Sequence, residues 1–117
     1  MSSPLTQPPD PTLYSDLELI PIFQELSDFL CCYIEPGEDR DDETDEGIAR
    51  WCSRHCSPQS NRKTIEEGTI MLATIPFPQG YVSLATNKHF NHEASAKEWL
   101  SRMLAVVEQT LASQTGF

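Results

Sequence analysis

The sequence predicts a mainly α-helical fold: a small bundle of about four helices, with a short β-hairpin between the third and last helices as an alternative. Three segments carry apolar residues at helical spacing, and Ser, Thr and Pro signals stand where helices would begin. A chain of 117 residues suits one domain. We place that domain at residues 13–113, between a Pro-rich tail at 1–12, predicted to be disordered, and a short tail at 114–117.

The first predicted helix lies within residues 15–34 and ends before Pro36 and Gly37. Pro21 fits its first turn, which makes residues 15–20 a preceding turn or a kinked extension. The residues that form its single apolar stripe are Ile22, Phe23, Leu26, Phe29, Leu30, Tyr33 and Ile34.

Two further helices are predicted to follow each other closely. Thr44 is a suitable N-cap for the second helix, and Ser57 with Pro58 is a suitable start for the third. The second helix carries an apolar stripe of Ile48, Trp51, Cys52, His55 and Cys56, and the third carries Ile65, Thr69 and Leu72 on one face.

The segment 69–86 is ambiguous, because β-branched residues flank a Pro and Gly turn and fit either a helix followed by a loop or a hairpin. The last helix is clearer. Ser95 and Glu98 form a predicted capping box ahead of a stripe of Trp99, Leu100, Met103, Leu104, Val107 and Leu111. We expect Trp51 and Trp99 to anchor the core.

Charge is distributed unevenly along the chain. The formal net charge is -10, with a net charge of -12 in residues 10–46 and +2 in residues 47–117. The stretch EDRDDETDEG at 38–47 alone holds seven carboxylates. Such a field repels a phosphate backbone and an anionic membrane surface, so we expect no direct nucleic-acid or membrane binding. The expected partner is a basic protein.

The four cysteines are Cys31, Cys32, Cys52 and Cys56. No apolar signal peptide precedes Leu13, so we expect reduced thiols in a cytoplasmic protein. Cys52 and Cys56 are expected to be buried and free of metal, because they share the apolar stripe of the second helix. A zinc site would need His89 and His92 as additional ligands, and the spacing matches no common zinc module.

No other motif indicates a cofactor or catalysis. The acidic run fails as an EF-hand, because Thr44 stands where the loop needs glycine and Arg50 where it needs glutamate. No phosphate-binding glycine loop, GxSxG elbow or HExxH motif occurs. We therefore expect a protein that is not an enzyme and holds no cofactor.

The stretch ELSDFLCCYIEPGEDRDDETDEGIARWCS, together with SAKEWLSRML near the C-terminus, resembles small bacterial immunity proteins of contact-dependent growth inhibition. The shared pattern is an amphipathic helix with an aromatic tip, an acidic loop, a further helix and the start of a final helix. The resemblance implies a cytoplasmic helical protein without activity of its own. It would bind and block the toxic C-terminal domain of one matching toxin, often a nuclease.

The predicted function is thus one-to-one neutralisation of a basic toxin domain. A solvated loop that only maintains solubility is the simpler reading of the acidic run. An acidic adaptor with an apolar groove around Phe77 and Tyr81, or a thiol or metal enzyme built on Cys52, His55 and Cys56, are the alternatives. The predicted partner-binding residues are Asp39, Asp41, Asp42, Glu43, Asp45, Glu46, Tyr81 and Phe90.

Overall fold

The computed structural model describes residues 10–32 and 44–115, and in these ranges the chain forms six α-helices and no strand. The predicted mainly helical class is confirmed. The described residues differ from the prediction in the number of helices and in having no hairpin. No helix in these ranges is long and apolar enough to cross a membrane. After a 3-10 turn at Pro11–Leu13, the helices are α1 (Asp16–Ile22), α2 (Gln24–Cys31), α3 (Asp45–Arg54), α4 (Pro58–Ala73), α5 (Gln79–Thr86) and α6 (Glu93–Gln114).

The long helix α6 lies at the centre of the packing. It contacts α3, α4 and α5, while α2 packs on α4 and α5 and α1 packs on α5. The predicted apolar stripe of α6 faces the core, with Leu111 only half-buried at its end. Side chains without exposed surface, or nearly so, include Leu26, Leu30, Met71, Tyr81, Val82, Leu100, Met103 and Val107.

The first predicted helix is divided in two at Phe23. Pro21 lies inside α1, where it has no N–H to donate and its ring crowds the carbonyl group of Leu17. Phe23 then leaves the helical conformation, with φ -107° and ψ 58°, although its side chain remains in the core. The kinked extension predicted for residues 15–20 is therefore a separate short helix, which begins with a capping box formed by Ser15 and Glu18.

The predicted starts of α3 and α4 are confirmed. The Thr44 hydroxyl accepts a hydrogen bond from the Gly47 N–H at 3.0 Å. The Ser57 hydroxyl accepts one from the Ser60 N–H at 3.1 Å, and Pro58 is the first residue of α4. Each hydroxyl satisfies a donor that the first turn of a helix leaves unpaired.

Of the two structures left open for residues 69–86, the hairpin does not form. After α4 the chain passes a cis Ile75–Pro76 bond and forms α5, whose buried residues Tyr81, Val82 and Ala85 recur at helical spacing. The capping box predicted at Ser95 is wrong. Helix α6 begins earlier, at Glu93, and the N-cap is His92, whose Nδ1 accepts from the Ser95 N–H at 3.3 Å.

Helices α4 and α6 approach each other closely at Gly68. A Cβ atom at this position would overlap the side chain of Leu104 on α6. Glycine thus brings the two longest helices of the described ranges into contact, which explains its place in a helix where it would otherwise be unfavourable.

Candidate functional site

The candidate site is built around the start of α3, where the acidic run ends. Asp45 Oδ2 accepts a hydrogen bond from Trp99 Nε1 at 2.8 Å, and its Oδ1 lies 3.1 Å from Lys88 Nζ. These contacts join α3 to α6 and to the segment between α5 and α6. Asp45 therefore has a structural role, and only about a third of its side chain is exposed, 32%.

Glu46 makes a second, more exposed connection between the same helices. Its Oε2 lies 2.9 Å from Arg102 NH1 on α6, and Arg102 Nε lies 3.9 Å from Glu98. The side chains of Glu46 and Arg102 are 41% and 50% exposed. Because solvent screens such pairs, this one contributes little to stability, and Glu46 stays accessible to a partner.

The predicted acidic residues thus differ in what the structure says of them. Asp45 and Glu46 are described, and both lie at the point where α3 is attached to α6. The other predicted carboxylates lie outside the described residues; they are Asp39, Asp41, Asp42 and Glu43.

The aromatic part of the predicted site needs correction. Tyr81 has no exposed surface, and its hydroxyl forms a 2.6 Å hydrogen bond with the Ser27 hydroxyl. Burial raises the pKa of Tyr81, with the Ser27 hydrogen bond as a smaller opposing effect. Phe77 is also in the core, so the groove predicted around these two residues is filled by their own rings. Tyr81 cannot bind a partner from this position.

Phe90 keeps part of its surface. Its ring centroid lies 5.6 Å from that of Trp99, and its carbonyl group accepts a hydrogen bond from Gln79 Nε2 at 3.0 Å. The side chain is half-buried and packs against the core. Of the two aromatic residues predicted to bind a partner, Phe90 is the one that remains available for contact, next to Trp99 and therefore close to Asp45.

An acidic face on α1 and α2 was missed by the sequence reasoning. Residues 10–32 contain five carboxylates and no Lys, Arg or His, a signal that was visible in the sequence. In α2, Glu25 and Asp28 lie close enough to Cys56 to add to burial in raising the pKa of its thiol. The residues of this acidic face are Asp16 and Glu18 on α1 and Glu25 and Asp28 on α2.

Helix α2 is held by a buried carboxylate from another helix. Phe23, its N-cap residue, offers no side-chain hydrogen bond, and Glu67 on α4 instead accepts from the Leu26 N–H at 2.9 Å. Burial raises the pKa of Glu67, and the hydrogen bond from Leu26 partly offsets this. The first turn of α2 is satisfied across the helix interface, which fixes the position of the acidic face relative to α4.

The cysteines differ from the prediction. A disulfide joins Cys32, at the end of α2, to Cys52 in α3, while Cys31 and Cys56 are free. The burial predicted for Cys52 is confirmed, but its predicted reduced state is not, and Cys56, also predicted to be buried, is only half-buried. The two partners are 20 residues apart, and sequence spacing alone does not specify such a pairing. Because disulfides are typical of oxidising compartments, the cysteines do not support the predicted cytoplasmic location.

Alkylation of the unreduced, unfolded protein should modify two cysteines, and prior reduction should raise this number to four. Reduction should lower the free energy of unfolding by about 3 kcal/mol, because it releases a closed loop of about 20 residues in the unfolded chain. Mass spectrometry counts the labels, and urea unfolding measures the loss. The variant Cys56→Ser provides the control, with one label before reduction. Complete labelling without reductant would contradict the disulfide.

The described residues do not place Cys52, His55 and Cys56 in the arrangement that a thiol or metal enzyme would need. Cys52 is bonded to Cys32. His55 Nδ1 lies 2.7 Å from the Trp51 carbonyl oxygen, and the ring centroids of His55 and Trp51 are 4.3 Å apart. Within residues 10–32 and 44–115, no group of three or more His, Cys, Asp or Glu side chains is arranged to hold a metal ion.

Comparison of the chain with protein-family models, with curated proteins and with solved structures found no match.

Proposed function

We propose that this protein is a non-catalytic inhibitor of the immunity-protein type, which binds a basic toxin domain and blocks it. The observation that carries the proposal is the concentration of negative charge in the first half of the chain. Residues 10–46 have a net charge of -12, and the first 23 described residues have carboxylates but no basic side chain. A nuclease presents a basic cleft to nucleic acid, and an acidic protein of this kind complements such a cleft.

The anchoring of the acidic run supports the proposal. Cys32, just before residues 33–43, is bonded to α3, and Thr44, just after them, caps α3. Asp45 is then held by Trp99 and Lys88. Charges attached to fixed points lose less conformational freedom on binding than charges on a free tail, so more of the electrostatic attraction is retained in the complex.

The predicted residues take different roles in this proposal. Asp39, Asp41, Asp42 and Glu43 contact the toxin, and Glu46 joins them from the first turn of α3. The face formed by α1 and α2 adds to the field that attracts a basic partner. Asp45 positions the run through Trp99, and Phe90 lies beside this contact. Tyr81 has no part in binding.

Charge reversal in the acidic run should slow association with the toxin without unfolding the protein. We expect Asp41→Lys, Asp42→Lys and Glu43→Lys together to lower the association rate constant by about tenfold or more at low salt. Stability should change by no more than about 0.5 kcal/mol per site, as is usual for surface positions. The measurement is surface plasmon resonance with the toxin domain encoded by the neighbouring gene, combined with thermal melting.

The matched control reverses two exposed glutamates on other helices, Glu66 and Glu108, and is compared with the run variant Asp41→Lys, Asp42→Lys, which has the same net charge. At physiological ionic strength we expect a much smaller loss of rate in this control, because charges far from the interface are then screened beyond about 8 Å. Equal rates for the wild type and the folded run variant would show that the run only keeps the protein soluble.

A further inference from the structure

A second surface, separate from the acidic run, has the properties of a docking site. A shallow groove of about 430 Å³ separates the 3-10 turn from the C-terminal end of α4. Six residues line the groove, and Asp10 is the one that is charged. The six are Asp10, Thr12, Ile70, Ala73, Thr74 and Ile75.

Large apolar side chains are exposed on one wall of this groove and on the segment that follows the other wall along the chain. Ile75, on one wall, is 87% exposed, and Leu13 and Leu17, which follow the other wall along the chain, are 74% and 70% exposed. Tyr14 between them is 39% exposed. Isolated exposed apolar residues are ordinary, but three within five residues of chain, directly after a groove whose other wall exposes Ile75, are typical of an interaction surface.

The exposed leucines are held in place by capping interactions at both ends of their segment. Asp10 accepts hydrogen bonds from the Thr12 N–H at 3.0 Å and from the Thr12 hydroxyl at 2.7 Å. Glu18 accepts from the Ser15 N–H at 2.9 Å, while Ser15 accepts from the Glu18 N–H at 3.3 Å. This segment therefore presents its apolar side chains from a defined backbone, which reduces the entropy lost on binding.

Charge selects the kind of partner. The carboxylates nearest to the leucines in the sequence are Asp10, Asp16 and Glu18, and residues 10–32 contain no basic side chain. Two copies of a chain with a net charge of -10 repel each other, and an anionic lipid surface is repelled as well. A cationic partner with an apolar face is attracted by both features of the surface.

We propose that this face docks a cationic amphipathic helix of a partner protein. Its apolar side chains fill the groove and cover Leu13, Leu17 and Ile75, and its Lys or Arg side chains meet Asp16 and Glu18. The inference uses no residue of the acidic run, so it stands or falls separately from toxin neutralisation.

The test uses two synthetic helical peptides of the same Leu and Lys composition. One peptide has its leucines on a single face, and the other has them distributed around the helix. Fluorescence anisotropy should show tighter binding of the first peptide. The double variant Leu13→Ser, Leu17→Ser should weaken that binding by about tenfold or more, because two anchors lose their apolar burial.

A matched pair of glutamates tests the electrostatic part. Glu18→Gln removes a charge and keeps the capping box, since glutamine also accepts at this position. At physiological ionic strength, where charges are screened beyond about 8 Å, it should weaken binding about twofold, whereas Glu108→Gln on the exposed side of α6 should leave it unchanged. Ile75→Ser, on the opposite wall of the groove, provides an independent variant if the double leucine variant does not fold.

Several results would overturn the inference. Equal affinity for the two peptides would mean that charge alone attracts them. Wild-type affinity in the folded leucine or Ile75 variants would place the binding elsewhere. Concentration-dependent dimers in sedimentation that disappear in these variants would make a second copy the occupant, and tighter peptide binding after removal of residues 1–9 would make that segment the occupant.

Discussion

Replacing Trp99 with alanine should lower the free energy of unfolding by about 4 kcal/mol, in the range found for large aromatic residues in protein cores. Trp99 is 4% exposed and contacts Phe90 on one side. It also donates the 2.8 Å hydrogen bond that fixes Asp45. The substitution therefore removes packing in the core and the main attachment of the acidic run to α6. Urea unfolding followed by circular dichroism measures the loss.

Two variants separate these contributions. Trp99→Phe keeps most of the packing and removes the N–H donor, and we expect a loss of about 1 kcal/mol because Asp45 keeps Lys88 as a partner. Trp51→Ala removes the other tryptophan, which is half-buried at the edge of the core. Its loss should be smaller than that of Trp99→Ala. A loss of equal size for the two tryptophans would contradict the assignment of Trp99 as the anchor.

Replacing Tyr81 with alanine should also lower the free energy of unfolding by about 4 kcal/mol, because it leaves a large cavity in the core where α5 packs on α2. The sequence reasoning placed this residue on a partner surface, where a substitution would change stability by about 0.5 kcal/mol or less. The two assignments thus predict different outcomes in one urea titration.

Tyr81→Phe isolates the hydrogen bond from the ring. The Ser27 hydroxyl, which is 2% exposed, would lose its 2.6 Å partner, and we expect a loss of about 1–2 kcal/mol. The double variant Ser27→Ala, Tyr81→Phe should recover part of that loss, since no buried hydroxyl is then left unpaired. A stable, soluble Tyr81→Ala protein would contradict the buried position of this ring.

Local signals in the sequence were sufficient to predict where a helix begins when residues close to it in the sequence fix that end. Thr44, Ser57 and Pro58 start α3 and α4 as predicted, because a cap depends on a side chain and a backbone group a few residues apart. The stripe of α6 was recognisable for the same reason, since its apolar period extends over several turns.

Features that depend on contacts between distant segments were not predictable from these signals. Glu67 caps α2 from a position 41 residues away from its hydrogen-bond partner Leu26. Cys32 pairs with Cys52 and not with Cys56, although both cysteines lie on the predicted apolar stripe of the second helix. Tyr81 was misplaced because α5 is short, follows Pro78 and contains Gly80 in its first turn, which obscured its helical period. Asp45 was assigned to a partner surface because nothing in its local sequence points to Trp99, 54 residues further on.

The central proposal is that the protein neutralises a basic toxin domain by binding it. The most direct measurement is the activity of the toxin domain encoded by the neighbouring gene, followed as this protein is added in increasing amounts. We expect activity to fall linearly and to be abolished at one molecule of this protein per toxin domain. The variant Asp41→Lys, Asp42→Lys should require a clear excess, while the variant Glu66→Lys, Glu108→Lys, which has the same net charge, should match the wild type. Full toxin activity in the presence of excess folded wild-type protein would contradict the proposal.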